Sequence, residues 1–163
     1  MEDSSRIKKK ANPHFLNLIP LLCLALYLLT SCSNSRDSKT DTSSTKFRQY
    51  YVQGEKLYLK HCSNCHQKDG SGLGLLYPPL ANSDYLTQNF DSVICMIRYG
   101  RSGPIIVNGE TFDQPMPPLA TLGDLEIAEI ATYIYNTWGN ERGIIQVTDA
   151  SAILARCNGQ TSP

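Results

Sequence analysis

The sequence predicts a small all-α domain of about three to five helices connected by long irregular loops. Apolar residues recur at helical spacing over residues 47–61 and again over 121–138. Between them, the stretches 68–82 and 101–120 are rich in glycine and proline, which favour irregular backbone. The chain beyond residue 46 is about 115 residues long, a length that suits one compact domain.

The first predicted helix covers Phe47–His61, where three tyrosines and two leucines supply the apolar positions. Two shorter helices are expected over Ser83–Asn89 and Phe90–Tyr99. Gly100 is expected to end the second of them, because glycine commonly follows the last helical residue.

The last predicted helix covers Thr121–Trp138. Thr121 is expected to cap its start, with Asp124 as the acid of a capping box and Gly139 as its end. The tail 141–163 carries enough apolar residues to pack on the domain, but its pattern predicts no particular secondary structure.

A Cys-Ser-Asn-Cys-His run, Cys62–His66, directly follows the first predicted helix. Thiols three residues apart can bond the two vinyl groups along one edge of a haem, while the next imidazole reaches the iron, so this order is typical of c-type haem attachment. A Cys-x-x-Cys pair alone also occurs in zinc knuckles and dithiol redox sites, which are the alternatives. Zinc needs four ligands, and Cys95 and Cys157 are too far apart in sequence to form a second knuckle. The run therefore favours a haem redox protein.

The first 31 residues have the pattern of an export signal. Arg6 and three lysines precede an apolar core, residues 15–29, interrupted by a single asparagine and a single proline. A membrane-spanning helix needs about 20 apolar residues, so a cleaved signal is favoured over a permanent anchor. The stretch Leu29–Cys32 resembles a bacterial lipobox, in which the cysteine becomes the lipidated first residue. An ordinary signal peptide with an incidental cysteine is the alternative.

Residues 32–46 are almost entirely polar and are expected to form a lipidated, disordered tether ahead of the domain 47–163. Removing residues 1–31 leaves 11 basic against 13 acidic residues, which gives no reason to expect a nucleic-acid partner. We therefore expect an exported protein on the periplasmic side of a bacterial membrane, anchored through lipid on Cys32.

Cys95 and Cys157 are the cysteines left without a role in the signal, the anchor or the haem motif. Export would place them where disulfides persist, so we expect them to be joined. The alternative is that Cys95, in an apolar stretch, is a small buried hydrophobic residue.

The helix before Cys-x-x-Cys-His, the Gly-rich and Pro-containing loop, a methionine among prolines and the terminal amphipathic helix together resemble class I c-type cytochromes over Tyr51–Asn140. The ending Trp138–Asn140 is similar to cytochrome domains of respiratory complexes and periplasmic dehydrogenases, and Gly54 and Tyr133 resemble the family's helix crossing. The resemblance implies a fold wrapped around one covalently bound haem c.

The resemblance also implies roles for the residues on one side of the haem. Cys62 and Cys65 would form the two thioethers, and His66 would be the proximal iron ligand. Pro78 would offer its carbonyl oxygen to the other ring nitrogen of His66, as the partners of metal-bound imidazoles usually do.

The sixth iron ligand is predicted to be Met116, which lies in a Gln-Pro-Met-Pro-Pro loop that matches the family's axial-methionine loop. Met96 lies within a predicted helix among apolar residues and is expected to belong to the core. His61 is expected to be an exposed residue at a helix end.

These features predict a monohaem one-electron carrier or electron-transfer subunit, not an enzyme, in a respiratory or periplasmic redox chain. Its expected partners are redox proteins: a dehydrogenase, a reductase or a terminal oxidase. After the signal only His61 and His66 remain as histidines, so no other histidine-based catalytic cluster is available. The alternatives are a haem enzyme or a small-ligand sensor, each with an open sixth iron position.

Overall fold

The computed structural model describes residues 38–157 and is mostly helical, as the sequence predicts. Within that range no helix is both long enough and apolar enough to cross a membrane. The described elements are six helices and one hairpin: α1 Ser38–His61, α2 Ser63–His66, α3 Asp84–Gln88, α4 Phe90–Tyr99, β1 Ile105–Val107, β2 Glu110–Phe112, α5 Asp124–Ile134 and α6 Val147–Leu154.

Helix α1 begins at Ser38 instead of Phe47, so residues 38–46 of the predicted disordered tether are helical. No glycine or proline occurs between Ser38 and Gly54, and the backbone hydrogen bonds of the helix can therefore extend through this polar stretch. Lys46 Nζ also donates to Gln146 Oε1 at 2.6 Å, which ties the first turns to a later segment. The predicted signal 1–31, Cys32 and the rest of the tether lie outside the described residues.

Helix α1 crosses α5 at Gly54. A Cβ on Gly54 would overlap the carbonyl group of Glu129 and lie 2.9 Å from the Cβ of Tyr133, so the two backbones can approach only because this residue is glycine. One turn later, the ring of Tyr58 packs against that of Tyr133 with centroids 5.3 Å apart. The expected crossing of Gly54 and Tyr133 is thus present. It fixes the orientation of α1, and the cysteine motif directly follows this helix.

The last predicted helix is shorter than expected at both ends. It begins at Asp124, because Leu122 is buried in the core ahead of the helix. The N-cap residue is therefore Gly123 and not Thr121. Glu126, not Asp124, reaches back to the cap, accepting from the Gly123 N–H at 2.7 Å. The helix ends at Ile134, ahead of the predicted Trp138 and Gly139.

The C-terminal tail forms α6, which packs against α4 and α5. Cys95 on α4 and Cys157 after α6 are joined by a disulfide, with their Cα atoms 5.8 Å apart. Ser151 Oγ donates to Asp124 Oδ2 at 2.7 Å and connects α6 to the start of α5. Helices α4, α5 and α6 pack together and bury much of the apolar core between them. The buried residues include Ile94, Ile97, Ile127, Ile130, Ala131, Ile153 and Leu154.

The stretch 101–120, expected to be irregular, contains the antiparallel hairpin of β1 and β2. Its two-residue turn, Asn108 and Gly109, has φ of +53° and +85°, the backbone that a type I′ hairpin turn requires. The Asn-Gly pair between two short apolar runs is a strong hairpin signal, so this element was predictable from the sequence.

The hairpin is attached to α3 by a reciprocal pair of hydrogen bonds. The N–H of Asp84 donates to Asn108 Oδ1 at 3.0 Å, and the N–H of Asn108 donates to Asp84 Oδ1 at 2.7 Å. This attachment holds the buried side chains of Val107 and Phe112 over the interior of the domain.

Candidate haem site

A cavity that is partly open to solvent is lined by both the cysteine motif and the Met116 loop. All five side chains predicted to serve the haem are on its wall: Cys62, Cys65, His66, Pro78 and Met116. The rest of the wall is largely apolar and comes from α3, α4, α5 and the hairpin, with Leu86, Ile97, Val107, Phe112 and Ile130 among its members. The fold thus brings residues from distant parts of the chain to one apolar cleft.

The cysteine motif forms a single helical turn. The N–H groups of Cys65 and His66 both donate to the Cys62 carbonyl, at 3.2 and 3.0 Å. Residues spaced by three and four positions lie on the same face of a helix, which is why Cys62, Cys65 and His66 all reach the cavity. Neither Cys62 nor Cys65 forms a disulfide among the described residues.

The surroundings of Cys62 do not suit a dithiol redox site. Burial, followed by the charge of Cys65, raises the pKa of the Cys62 thiol to about 12. Reactive dithiols depend on a lowered thiol pKa, because the thiolate is the nucleophile. Within residues 38–157 no three His, Cys, Asp or Glu side chains come together as metal ligands, so that part of the chain offers no zinc knuckle.

The ring of His66 is oriented by the carbonyl oxygen of Pro78, which lies 3.0 Å from its Nδ1. A carbonyl oxygen can only accept, so Nδ1 carries the proton and Nε2 keeps its lone pair. Burial lowers the pKa of His66, which favours the neutral ring. The result is an imidazole prepared to bind a metal through Nε2.

The loop that carries Pro78 is folded tightly against the motif. Gly72 donates its N–H to the His66 carbonyl at 3.0 Å and has φ of +71°, a backbone that favours glycine. A Cβ there would lie 2.7 Å from the carbonyl carbon of Pro78. The N–H groups of Leu80 and Ala81 both donate to the Gly70 carbonyl, and these bonds fix the loop without regular secondary structure.

Met116 is held by contacts with the end of α4. Its backbone and that of Arg101 exchange two hydrogen bonds, of 2.8 and 2.9 Å, as an isolated antiparallel bridge. Leu119 N–H donates to the Ile97 carbonyl at 3.2 Å. Gly100 has φ of +71°, and a Cβ there would lie 2.8 Å from the nitrogen of Pro118. The loop therefore depends on close backbone approach to a segment distant in sequence.

Two residues with other expected roles also lie on the cavity wall. Met96, expected in the core, is half-buried and lines the cavity from α4. His61, expected to be exposed, is half-buried, and its Nε2 has no hydrogen-bond partner among the described residues. The last turn of α1 runs directly into Cys62, so His61 is carried to the same wall.

A sequence model of the family described as cytochrome c oxidase, cbb3-type, subunit III matches residues 51–134, about half of the chain. Cytochrome c-552 of Thermus thermophilus is 33% identical over 97 residues, covering 57% of this chain and 73% of that protein. The chain belongs to the c-type cytochromes. As a member of that family it carries covalently bound haem c and transfers electrons without being an enzyme.

The cytochrome is also similar to two proteins named as the cytochrome c subunit of quinone alcohol dehydrogenase. The subunit from Gluconacetobacter polyoxogenes is 31% identical over 105 residues, and that from Gluconobacter oxydans is 30% identical over 99 residues. These matches cover 63% and 59% of the cytochrome but only 22% and 20% of the two subunits.

The polarity of the cavity suits a haem. Its walls are mainly apolar, as the flat porphyrin requires, yet two of the residues that line them, His61 and Arg101, each have a buried nitrogen, Nε2 and Nε, with no hydrogen-bond partner within the described chain. Buried polar groups in folded proteins are normally paired. These atoms are consistent with a bound group that is apolar over its faces and polar at its edge. Arg101 is the site residue that sequence reasoning missed, since no local pattern marks it.

Proposed function

We propose that Cys62 and Cys65 hold the haem through thioethers and that His66 and Met116 are its two axial ligands. The observation that carries this proposal is that all four side chains line one apolar cavity although they come from separate segments. When bound, the haem supplies a one-electron couple, and Met/His ligation raises its reduction potential.

The Pro78 carbonyl has a defined part in this arrangement. By accepting from Nδ1 of His66, it selects the tautomer and keeps the ring from rotating out of the cavity. The apolar walls exclude water from the interior of the site, and such a hydrophobic shell is one of the means by which proteins tune redox potential.

Met116 is proposed as the sixth ligand in preference to Met96, although both line the cavity. Met116 lies between Pro115 and Pro117, whose rings restrict the backbone, and its own backbone is bonded to Arg101. Because the backbone of Met116 is already restricted, little conformational entropy is lost when its side chain binds the iron. If His66 and Met116 both bound the iron, they would leave it no position for a substrate or gas, which would favour an electron carrier over a haem enzyme or sensor.

We further propose that the cytochrome is exported, that residues 1–31 are removed and that Cys32 is lipidated on the periplasmic side of a bacterial membrane. The support is the basic start, the short apolar core and the lipobox-like Leu29–Cys32. A multiply acylated cysteine would anchor the domain firmly, whereas one chain binds only marginally. Mass spectrometry of the mature N-terminus tests this: a lipid-bearing Cys32 is expected, and an unmodified N-terminus beyond it would contradict the proposal.

The proposed place of the cytochrome is a respiratory or periplasmic redox chain, between a dehydrogenase or reductase and a terminal acceptor. Support comes from the relatives, which include subunits named for quinone alcohol dehydrogenase, and from the family described as an oxidase subunit. The balance of 11 basic and 13 acidic residues after residue 31 gives no sign of nucleic-acid binding.

The axial assignment is tested by replacing each methionine with leucine, which keeps its size and apolar character. The oxidised wild-type protein should show the weak far-red absorption of a methionine-to-ferric bond. Met116→Leu should abolish that band, lower the potential and let carbon monoxide bind the ferrous protein. Met96→Leu, the matched control from the same cavity wall, should retain the band. Loss of the band in Met96→Leu alone would transfer the ligand role to Met96.

A further inference from the structure

The turn of the hairpin, Asn108 and Gly109, has the residue order that permits a spontaneous covalent change. Among residues 38–157, Asn108 is the only asparagine followed by glycine. Because glycine has no side chain to shield its backbone nitrogen, that nitrogen can attack the side-chain amide carbon of the preceding asparagine. Both turn residues are exposed, and a Cβ on Gly109 would meet none of the described residues within 4 Å, so the nitrogen of Gly109 is sterically accessible.

The reaction at this turn needs only the chain itself and water. The Gly109 nitrogen loses its proton and bonds to Cγ of Asn108, and the side-chain amide of Asn108 leaves as ammonia. Water then hydrolyses one of the two carbonyl groups of the resulting five-membered imide ring. One cleavage gives an aspartate at position 108, and the other gives an isoaspartate, in which the main chain passes through the side-chain carbon. No electrons are transferred, so no oxidant or reductant is required.

The attachment of the hairpin to α3 opposes closure of that ring. Asn108 Oδ1 accepts from the Asp84 N–H at 3.0 Å, and the Asn108 N–H donates to Asp84 Oδ1 at 2.7 Å. To close the ring, the side chain of Asn108 must rotate toward the nitrogen of Gly109, and this rotation breaks its bond to Asp84. The reaction therefore proceeds faster from conformations in which the hairpin has separated from α3.

Neither product restores the original attachment. An aspartate at position 108 places a second negative charge beside the Asp84 carboxylate, and like charges repel. An isoaspartate adds one main-chain carbon to a two-residue turn, and the turn fixes the register of the strands, in which Val107 pairs with Glu110. Val107 and Phe112 line the haem cavity, so the change also loosens part of the cavity wall.

We propose that Asn108 is a deamidation site that its attachment to Asp84 protects, and that its conversion separates the hairpin from α3 permanently. Local opening of the hairpin exposes Asn108 to the reaction, and the reaction removes the contacts that limit further opening. Neither the reaction nor the separation requires that His66 or Met116 bind the iron.

The test incubates the haem-loaded protein near neutral pH and follows Asn108 by peptide mass spectrometry, which detects replacement of the amide nitrogen by oxygen. Asn158, which precedes Gly159 outside the described residues, is measured in the same sample as the chemical reference. Relative to Asn158, the rate at Asn108 should rise about fivefold in Asp84→Ala, the factor that corresponds to loss of one exposed hydrogen bond. Asp113→Ala, exposed beyond β2, is the matched control and should leave the ratio unchanged.

The structural consequence is measured on the converted protein. Deamidation adds a negative charge, so anion exchange separates the converted fraction from the original protein. Amide hydrogen exchange in β1 and β2 should be faster in that fraction than in the original protein. It should also be faster than in Asn108→Asp, which carries the added charge without the additional main-chain carbon. Exchange in the cysteine turn should be unchanged.

Three results would overturn parts of this proposal. Conversion of Asn108 at the same rate in the folded protein and in the chain unfolded by guanidinium, or no acceleration in Asp84→Ala, would refute protection by the attachment. Unchanged hydrogen exchange of the hairpin in the converted fraction would refute its separation from α3. An unconverted Asn108 in Asp84→Ala, in samples where Asn158 has reacted, would refute the modification site itself.

Discussion

The two sides of the haem cavity are built in different ways. On the histidine side, Cys62, Cys65 and His66 share one helical turn, whose backbone hydrogen bonds join residues three and four positions apart. On the methionine side, Met116 depends on a backbone bridge to Arg101 and on the approach of Pro118 to Gly100. Local structure therefore does most to position His66, whereas tertiary packing positions Met116.

A ligand held by tertiary packing is released more readily than one held by a local turn. Segments with few regular hydrogen bonds open at lower free energy than those within cooperative helices. Mild destabilisation should therefore release Met116 while His66 remains in place. Substitutions on the two sides of the cavity test that difference.

The largest effect is expected from His66→Ala. The substitution removes the imidazole that Pro78 orients, and the cofactor's contribution to native stability should be lost with it. We expect almost no haem-loaded protein on a haem-stained gel and a large loss of helical circular dichroism. His61→Ala, on the same cavity wall, is the control and should give haem-loaded protein in normal yield. A normal yield from His66→Ala would refute the local account of the histidine side.

Removing the disulfide should lower the stability of the whole domain. The histidine side and the methionine side of the cavity should be affected equally. Closing a loop of 62 residues corresponds to roughly 4 kcal/mol in the chain-entropy model, so Cys157→Ser should lower the free energy of unfolding by up to about that amount. Denaturant titration measures it, and the far-red band should persist in the folded variant. Alkylation of the unreduced wild type should label neither Cys95 nor Cys157, whereas labelling of both would show separate thiols.

Gly100→Ala acts on the methionine side alone. The new Cβ would crowd Pro118 and the Met116 carbonyl in a backbone region that suits glycine, at a cost of about 2 to 3 kcal/mol. The far-red band should disappear at a denaturant concentration below that of the helical signal. Gly103→Ala is the matched control: it has φ of +82° but nothing within 4 Å of a Cβ, so only the smaller backbone strain of about 1 kcal/mol applies. Equal effects of both variants would contradict the importance of close approach.

The smallest effect is expected from Asp84→Ala, which removes the bond from Asn108 N–H that attaches the hairpin to α3. Loss of one such exposed hydrogen bond should cost about 1 kcal/mol. Amide hydrogen exchange should accelerate in the hairpin and leave the cysteine turn unchanged. Asp113→Ala, exposed beyond β2, provides the control. Faster exchange at the cysteine turn would show that the two sides are not independent.

The same contrast explains which features could be predicted from the sequence. Helix α4 has the predicted bounds, Phe90–Tyr99, because its apolar spacing and the glycine after it are local signals. The cysteine turn was equally recognisable. Asn108 and Gly109 are a local signal for the hairpin, but the surrounding prolines and glycines favour irregular loop and conceal that signal.

Other features had no local signal at all. Nothing near Arg101 indicates that its backbone pairs with Met116 or that its side chain reaches the cavity, since both depend on the packing of the loop against α4. Met96 lines the cavity from α4, and the last turn of α1 carries His61 to its wall. The cap of α5 moved to Gly123 because burial of Leu122 decides where the helix starts.

The central claim, that Met116 and His66 together bind the haem iron, is tested most directly by nuclear magnetic resonance of reduced protein with labelled methionine methyl groups. A methyl group held over the haem face by axial ligation is shifted far upfield by the ring current. We expect one such resonance in the wild type, present in Met96→Leu and absent from Met116→Leu. An upfield methyl resonance that survives in Met116→Leu, or none in the wild type, would contradict it.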